Sequence, residues 1–283
     1  MPKLLVLVVA AIAGMICLAH AAQAQPPSAL DADNDAARKQ RLAFMKEFRA
    51  EFEIFQEARP ADPLAAIDEP ILRWSNPVRN FFSDGSLFLW LNENQPAAVA
   101  TVSIRGNGDV WLEAASLSPD ALRCLRRGND FWTPSKGSLV RQRIPDAPAP
   151  AATARMRLVQ MRRLCERFAA RTEPQGEQPS ELRLLPQPIY RYGEDASEIT
   201  DGALFALTET TDPEAILLLE AVRPPGAEAA YWRYTLAKMT SRPIVARLDG
   251  KQVWSVPGYW TNPRSMNDPY HERQLGMYPP PIK

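Results

Sequence analysis

Histidine is nearly missing from this chain: among 283 residues only His20 and His271 occur. A Ser-His-Asp or Cys-His mechanism would have to recruit His271, which stands in a proline-rich tail. Zinc centres that lean on several imidazoles are excluded. Cysteine is almost as scarce, with Cys17, Cys124 and Cys165. P-loop, GxGxxG, HExxH and GxSxG runs are absent, and Gly106-Asn107-Gly108-Asp109 is too short for a phosphate cradle or an EF-hand loop. An excess of charge is lacking too, because 33 Lys and Arg balance 33 Asp and Glu. That balance argues against a dedicated polyanion binder, and no nucleic-acid partner is expected. No metal site and no cofactor are expected.

What is present begins with an export signal. Lys3 gives a short positive start, Leu4 to Ala19 is an apolar run, and Ala22-Gln23-Ala24 is a small-x-small cleavage site before Gln25. The run is too short and wrongly flanked for a membrane span, and no other run could cross a bilayer. Ile16 before Cys17 does not suit a lipoprotein signal. The expectation is an exported protein, periplasmic or extracellular, with a signal peptide over 1–24. Removal of that segment leaves Cys124 and Cys165, which permit one disulfide in an exported chain. The bridge would close a loop of about 41 residues, worth about 4 kcal/mol in the chain-entropy treatment. The alternative is two unrelated buried thiols.

The most informative feature is that the chain says one stretch twice. Pro70-Ile71-Leu72-Arg73-Trp74 returns as Pro188-Ile189-Tyr190-Arg191-Tyr192, and Asp84-Gly85-Ser86-Leu87-Phe88 as Asp201-Gly202-Ala203-Leu204-Phe205. Upstream, Arg41-Leu42, Met45 and Phe52 match Arg157-Leu158, Met161 and Phe168. Trp111 is matched to Trp232 and Trp132 to Trp254. A repeat near 120 residues implies an array of two units.

The periodicity predicts a disordered lead-in over 25–35 and a helix from Ala36 to Arg59, with Leu42, Met45, Phe48, Phe52 and Phe55 as its apolar stripe. Four or five short strands then form a meander, completing a first lobe over 36–136. A Pro/Ala-rich linker covers 137–152. A second lobe over 153–257 repeats the pattern, with a helix from Thr153 to Arg171. The tail, 258–283, is rich in proline and aromatic residues and has no helix or strand period.

Three groups of residues could carry chemistry. Residues 123–171 hold 12 basic against 3 acidic side chains. Arg155, Arg162, Arg163 and Arg167, with Arg171, fall opposite the apolar face of the second helix and are candidate contacts for lipid head groups or an acidic polymer. The competing reading is a solvated arginine face neutralised by acidic neighbours. Trp260 in the tail is a further candidate contact. Asp84 and Asp201 could form the carboxylate pair that glycosidases need, but Asp-Gly between strands reads as an exposed turn. Glu113 and Glu220 are weaker candidates on strands. The repeated tryptophans are sugar- or peptide-stacking platforms if exposed and core plugs if buried.

Leu72-Arg73-Trp74-Ser75-Asn76-Pro77-Val78-Arg79, the Asp-Gly-x-Leu-Phe segment and Val253-Trp254-Ser255-Val256-Pro257 resemble an uncharacterised family of secreted bacterial proteins. The resemblance covers most of the mature chain and implies no particular activity. Together these readings give an α+β fold with an internal duplication: two lobes, each of one helix packed on an antiparallel β-meander, in the cystatin-like or NTF2-like style. The function expected is a non-enzymatic exported protein that binds a protein or an extracellular polymer. A carboxylate-dependent hydrolase of an extracellular polymer competes with it, and so does a peripheral membrane or cell-wall protein held by the basic helix.

Overall fold

The computed structural model describes residues 35–76, 83–135, 139, 141–193 and 198–279. The segment expected as a signal peptide, most of the expected lead-in and Pro77 to Arg79 lie outside these residues. Helix α1 (Asp35–Arg49) turns Met45 and Phe48 inward, with Asp35 in its first turn and Lys46 and Arg49 in its last, as the helix dipole favours. The chain then changes period. Phe52, Ile54 and Gln56 are buried and Glu53 is exposed, so this stretch is strand β1 (Phe52–Gln56). Phe52 and Phe55 therefore do not extend the helix stripe; their spacing of three mimicked a helix inside an alternating strand.

Short strands β2 (Arg59–Pro63), β3 (Ala65–Ala66) and β4 (Leu72–Asn76) lead into three long ones. These are β5 (Ser83–Asn92), β6 (Gln95–Arg105) and β7 (Asp109–Ser116), followed by the hairpin β8 (Leu122–Arg126) and β9 (Asn129–Trp132). Arg127 and Gly128 close that hairpin with φ of 50° and 78°, the left-handed pair that matches strand twist.

After β10 (Gln142–Arg143) the same order of elements recurs. Helix α2 (Ala154–Cys165) is capped by Thr153, whose hydroxyl accepts from Met156 N at 3.3 Å. Strands β11 (Phe168–Thr172), β12 (Ser180–Glu181), β13 (Arg183–Leu184) and β14 (Tyr190–Tyr192) follow. The long strands are β15 (Ile199–Glu209), β16 (Asp212–Val222) and β17 (Tyr231–Lys238). The hairpin is β18 (Ile244–Leu248) and β19 (Lys251–Val256), and the tail adds β20 (Tyr270–Met277).

Four antiparallel sheets result. Two are small, ordered β2-β1-β8-β9 and β12-β11-β18-β19. Two are large: β20-β7-β6-β5-β3 with β4 also on β5, and β10-β17-β16-β15-β13 with β14 also on β15. One core joins α1 and the first small sheet to one face of the first large sheet, through Met45, Phe52, Phe88, Trp90 and Trp132. A second joins α2 and its small sheet to the other large sheet, through Met161, Phe168, Phe205 and Trp232. A third lies between the two large sheets, where Leu87, Leu89 and Val99 meet Leu204, Ile216 and Leu218. Strands β5, β6, β15 and β16 are thus covered on both faces, which is why they read as unbroken apolar runs.

The expected α+β architecture, two lobes each of one helix on a single meander, is corrected by this arrangement. Twenty strands and two helices make the described chain mostly β. Each helix shares its layer with a small sheet, and the large sheets pack on one another. The tail, expected to lack strand structure, pairs along β7 from Tyr270 opposite Ala115 to Met277 opposite Asp109.

Candidate functional site

Asp84 and Asp201 are not exposed turn residues. Both lie inside long strands and are 3% exposed. Asp84 accepts from Arg41 Nε at 2.6 Å and Arg73 Nη2 at 2.8 Å. Asp201 accepts from Arg157 Nε at 2.8 Å and Arg191 Nη2 at 2.5 Å. Each aspartate fastens a helix arginine and an edge-strand arginine to a large sheet. The following glycine serves packing: Trp74 and Tyr192, cross-strand partners of Gly85 and Gly202, occupy the space where a Cβ would stand. Glu220 is also buried, held by Tyr192 Oη at 2.9 Å and Arg233 Nε at 2.8 Å.

The register separates two tryptophans that the sequence matched. Val110 pairs with Ile104 and Trp232 with Ala221, at corresponding points of the two large sheets. Trp232 therefore takes the inward place that Val110 has, while Trp111, one residue on, points to the opposite face. Trp232, Trp132 and Trp254 are buried in cores. Trp111 is half-buried, with the Arg105 guanidinium carbon 3.9 Å from its ring centroid.

Trp111 forms one wall of a cleft of about 660 Å³ beside β20. Pro263, Arg264 and Met266, from the loop before β20, and the run His271 to Gln274 complete its lining. Four consecutive strand residues can border one cavity only if it follows the strand's open edge, because their side chains alternate faces. β20 is an edge strand of its sheet. His271 is buried, contacts Ser265 O through Nδ1 at 3.0 Å and meets Phe131 edge to face. Burial, first of all, pulls its pKa below the ordinary value.

Beneath the cleft lies a group of ionisable side chains. Glu272 stands directly opposite Glu113 on the neighbouring strand. It accepts from Tyr270 Oη at 3.1 Å and from Tyr259 Oη. Desolvation, then the charges of Asp212, Glu272 and Glu214, holds the Glu113 carboxyl well above the usual range, with Arg105 opposing. Two like charges directly across a ladder repel, which is one of the causes of the rise at Glu113. Nearby, Lys238 is buried and donates to the carbonyls of Pro257 and Gly258. The rings of Tyr259, Trp260 and Tyr270 surround its ammonium at 5.8, 5.4 and 5.5 Å. Desolvation brings Lys238 down to about 7, against the pull of Glu272, Asp268 and Glu214. The space beside Lys238 is only about 10 Å³, room for roughly one water.

The residues singled out from sequence are scattered. Arg155 and Arg163 are exposed on α2. Arg162 donates to Gln187, and Arg167, beyond the helix end, donates to Asp249 at 3.0 Å and to Pro145 O at 2.9 Å. Arg171 is on β11, paired with Glu173 at 2.8 Å. Trp260 is half-buried against the second core and over Lys238. The disulfide is corrected: Cys124 and Cys165 are free thiols in two different cores. Burial pushes both up to about 12. Sequence reading missed Lys238, Glu272 and Tyr259, since a lone lysine in a strand and a shapeless tail give no spacing signal. Compared with family models, with curated proteins and with solved structures, the chain matches none.

Proposed function

We propose that this is an exported, non-enzymatic binding protein whose ligand, an acidic segment of an extracellular polymer, lies in the cleft along β20. The observation that carries the reading is the cleft itself. It combines an indole wall at Trp111 with the exposed guanidiniums of Arg264 and Arg273, while the one carboxylate on its lining, Glu272, is already engaged by two tyrosine hydroxyls. Arginine forks and an aromatic face suit an extended acidic chain. Calorimetry with hexamers of galacturonate and of glutamate tests it, with neutral maltohexaose as control. Saturable binding of an acidic hexamer that Trp111→Ala or Arg264→Ala weakens is the expected result; no saturable binding of either rejects the reading.

The chain is read, in the same proposal, as a duplicated unit closed by its own tail. Support comes from the parallel strand orders of the two halves. In the first large sheet β20 borders β7 as β10 borders β17 in the second.

A carboxylate-dependent hydrolase is the second reading, favoured by the Glu113–Glu272 pair, in which desolvation and acidic neighbours raise the Glu113 carboxyl well above the usual range. Against it, both Glu272 oxygens already accept hydrogen bonds, and Glu113 does not line the cleft. Hydrolysis of an acidic polymer that Glu113→Gln and Glu272→Gln each abolish would establish it. The basic-helix reading rests on Arg155 and Arg163, the two arginines of that set left exposed on α2.

A further inference from the structure

Strand β20 lies against β7 in a phase that leaves part of its backbone open. Ser116 N donates to Pro269 O at 2.9 Å, which makes this pair a hydrogen-bonded position of the ladder. Such positions alternate in an antiparallel pair, so the peptide groups of His271 and Arg273 turn toward β7, opposite Ala114 and Leu112. The N–H and C=O of Glu272 and Gln274 point the other way. Among the described residues no strand lies on that side of β20. The cleft of about 660 Å³ lies there, bordered by His271 to Gln274.

Two donors and two acceptors thus repeat along this edge at about 6.8 Å, twice the antiparallel rise. The backbone of another extended peptide matches that repeat, whereas a polysaccharide carries no peptide ladder. The open stretch is short, because the bulge between Gln274 and Gly276 breaks the alternation beyond it.

The two faces of the edge differ in charge. Gln274 stands opposite Trp111 and Glu272 opposite Glu113, so Trp111 shares a face with these two side chains. Arg273 projects to the other face with His271. Ser265 O, 3.0 Å from His271 Nδ1, puts the loop that carries Arg264 on that same side. Both arginines are exposed. A chain added here meets an indole on one face and guanidiniums on the other. A second copy of β20 paired about Arg273 would set that arginine against its own counterpart, and like charges directly opposite are unfavourable.

We propose that β20 accepts an extended segment of another protein as an additional antiparallel strand. Acidic side chains at every second position of that segment face Arg264 and Arg273, and the apolar ones between them face Trp111. The inference rests on the reading of the cleft along β20 as the site for an acidic chain, and it selects polypeptide over polysaccharide.

Calorimetry of the full chain with the hexapeptide Glu-Val-Glu-Val-Glu-Val, acetylated and amidated, tests this. Residues opposite Glu272 and Gln274 in an antiparallel addition exchange bonds with them and share their face, so the valines supply the bonding N–H groups. N-methylation of the valine nitrogens should weaken binding about tenfold or more, the loss of two hydrogen bonds. N-methylation of the glutamate nitrogens should leave binding nearly unchanged. The isomer Glu-Glu-Glu-Val-Val-Val should bind more weakly than the alternating peptide, and Arg273→Gln should remove most of that difference. Equal effects of the two methylations, or the reverse order, overturn the proposal. Saturable binding of galacturonate hexamer without any binding of the peptide overturns it too, and leaves the reading of the cleft standing. If the peptide and the galacturonate and glutamate hexamers all fail to bind, both fall.

Discussion

The indole of Trp74 fills the space above its cross-strand partner Gly85: a Cβ built on Gly85 would stand 2.3 Å from Cε2 and Cζ2 of that ring. Tyr192 stands over Gly202 in the same way, at 2.5 Å. An alanine at Gly85 must push a buried ring off a sheet covered on both faces. Gly85→Ala and Gly202→Ala should each lower the free energy of unfolding by about 1–3 kcal/mol, as overpacking does. Urea titration checks this; unchanged midpoints would show that the rings move freely.

Asp84→Asn takes away the carboxylate to which both Arg41 and Arg73 donate, and the Arg41 side chain is buried. Asp84→Asn should destabilise the protein by about 3–5 kcal/mol, the cost of breaking a buried ion pair from one side. The exposed pair of Arg123 with Asp130 is the control, and Asp130→Asn should leave the unfolding midpoint where it was. Equal effects of the two substitutions would deny the Asp84 cluster its anchoring part.

The Glu113 carboxyl titrates far later in the folded chain than in the unfolded one, because burial and its acidic neighbours raise its pKa. Between those two points the folded chain keeps a proton that the unfolded chain has released. The unfolded state then binds fewer protons, so stability falls as pH rises. This contribution is complete below about pH 4, where a free glutamate carboxyl is protonated too, and is lost progressively above that. Glu113→Gln should therefore lose less stability than the wild type between pH 4 and pH 8. Identical slopes in denaturation at several pH values would place the titration elsewhere.

Cys124 and Cys165 should resist an aromatic disulfide reagent in the native protein and react within the mixing time in denaturant, since a buried thiol held at about 12 offers almost no thiolate at neutral pH. A single oxidised bridge in the intact mass of protein purified without reductant would contradict the two-core placement.

How far the sequence reveals this protein can be judged from particular residues. The matched positions Arg41 and Arg157, Arg73 and Arg191, Asp84 and Asp201 were all visible in it as repeats, but nothing local marked them as buried clusters. What misled was local chemistry with two meanings. Asp-Gly is a turn signal, yet here the glycine makes room for a ring. Phe52 and Phe55 carry helical spacing, yet Phe52, Ile54 and Gln56 alternate inward on a strand. Trp111 and Trp232 look equivalent until the ladder places them one residue out of register. The tail had no period to read, because the bulge between Gln274 and Gly276 breaks the alternation of β20. Which sheet a strand joins depends on contacts far apart in the chain, and local pattern does not encode them.

The central claim is that a ligand lies along β20 against Trp111, and mapping the site of binding addresses it most directly. Amide hydrogen exchange of the full chain should be measured with and without saturating galacturonate hexamer or glutamate hexamer. The account predicts slowed exchange confined to residues 263–277 and the neighbouring part of β7 around Trp111, with β18 and β19 unchanged. Protection absent from β20 with both hexamers, or confined to α2 around Arg155 and Arg163, would contradict it.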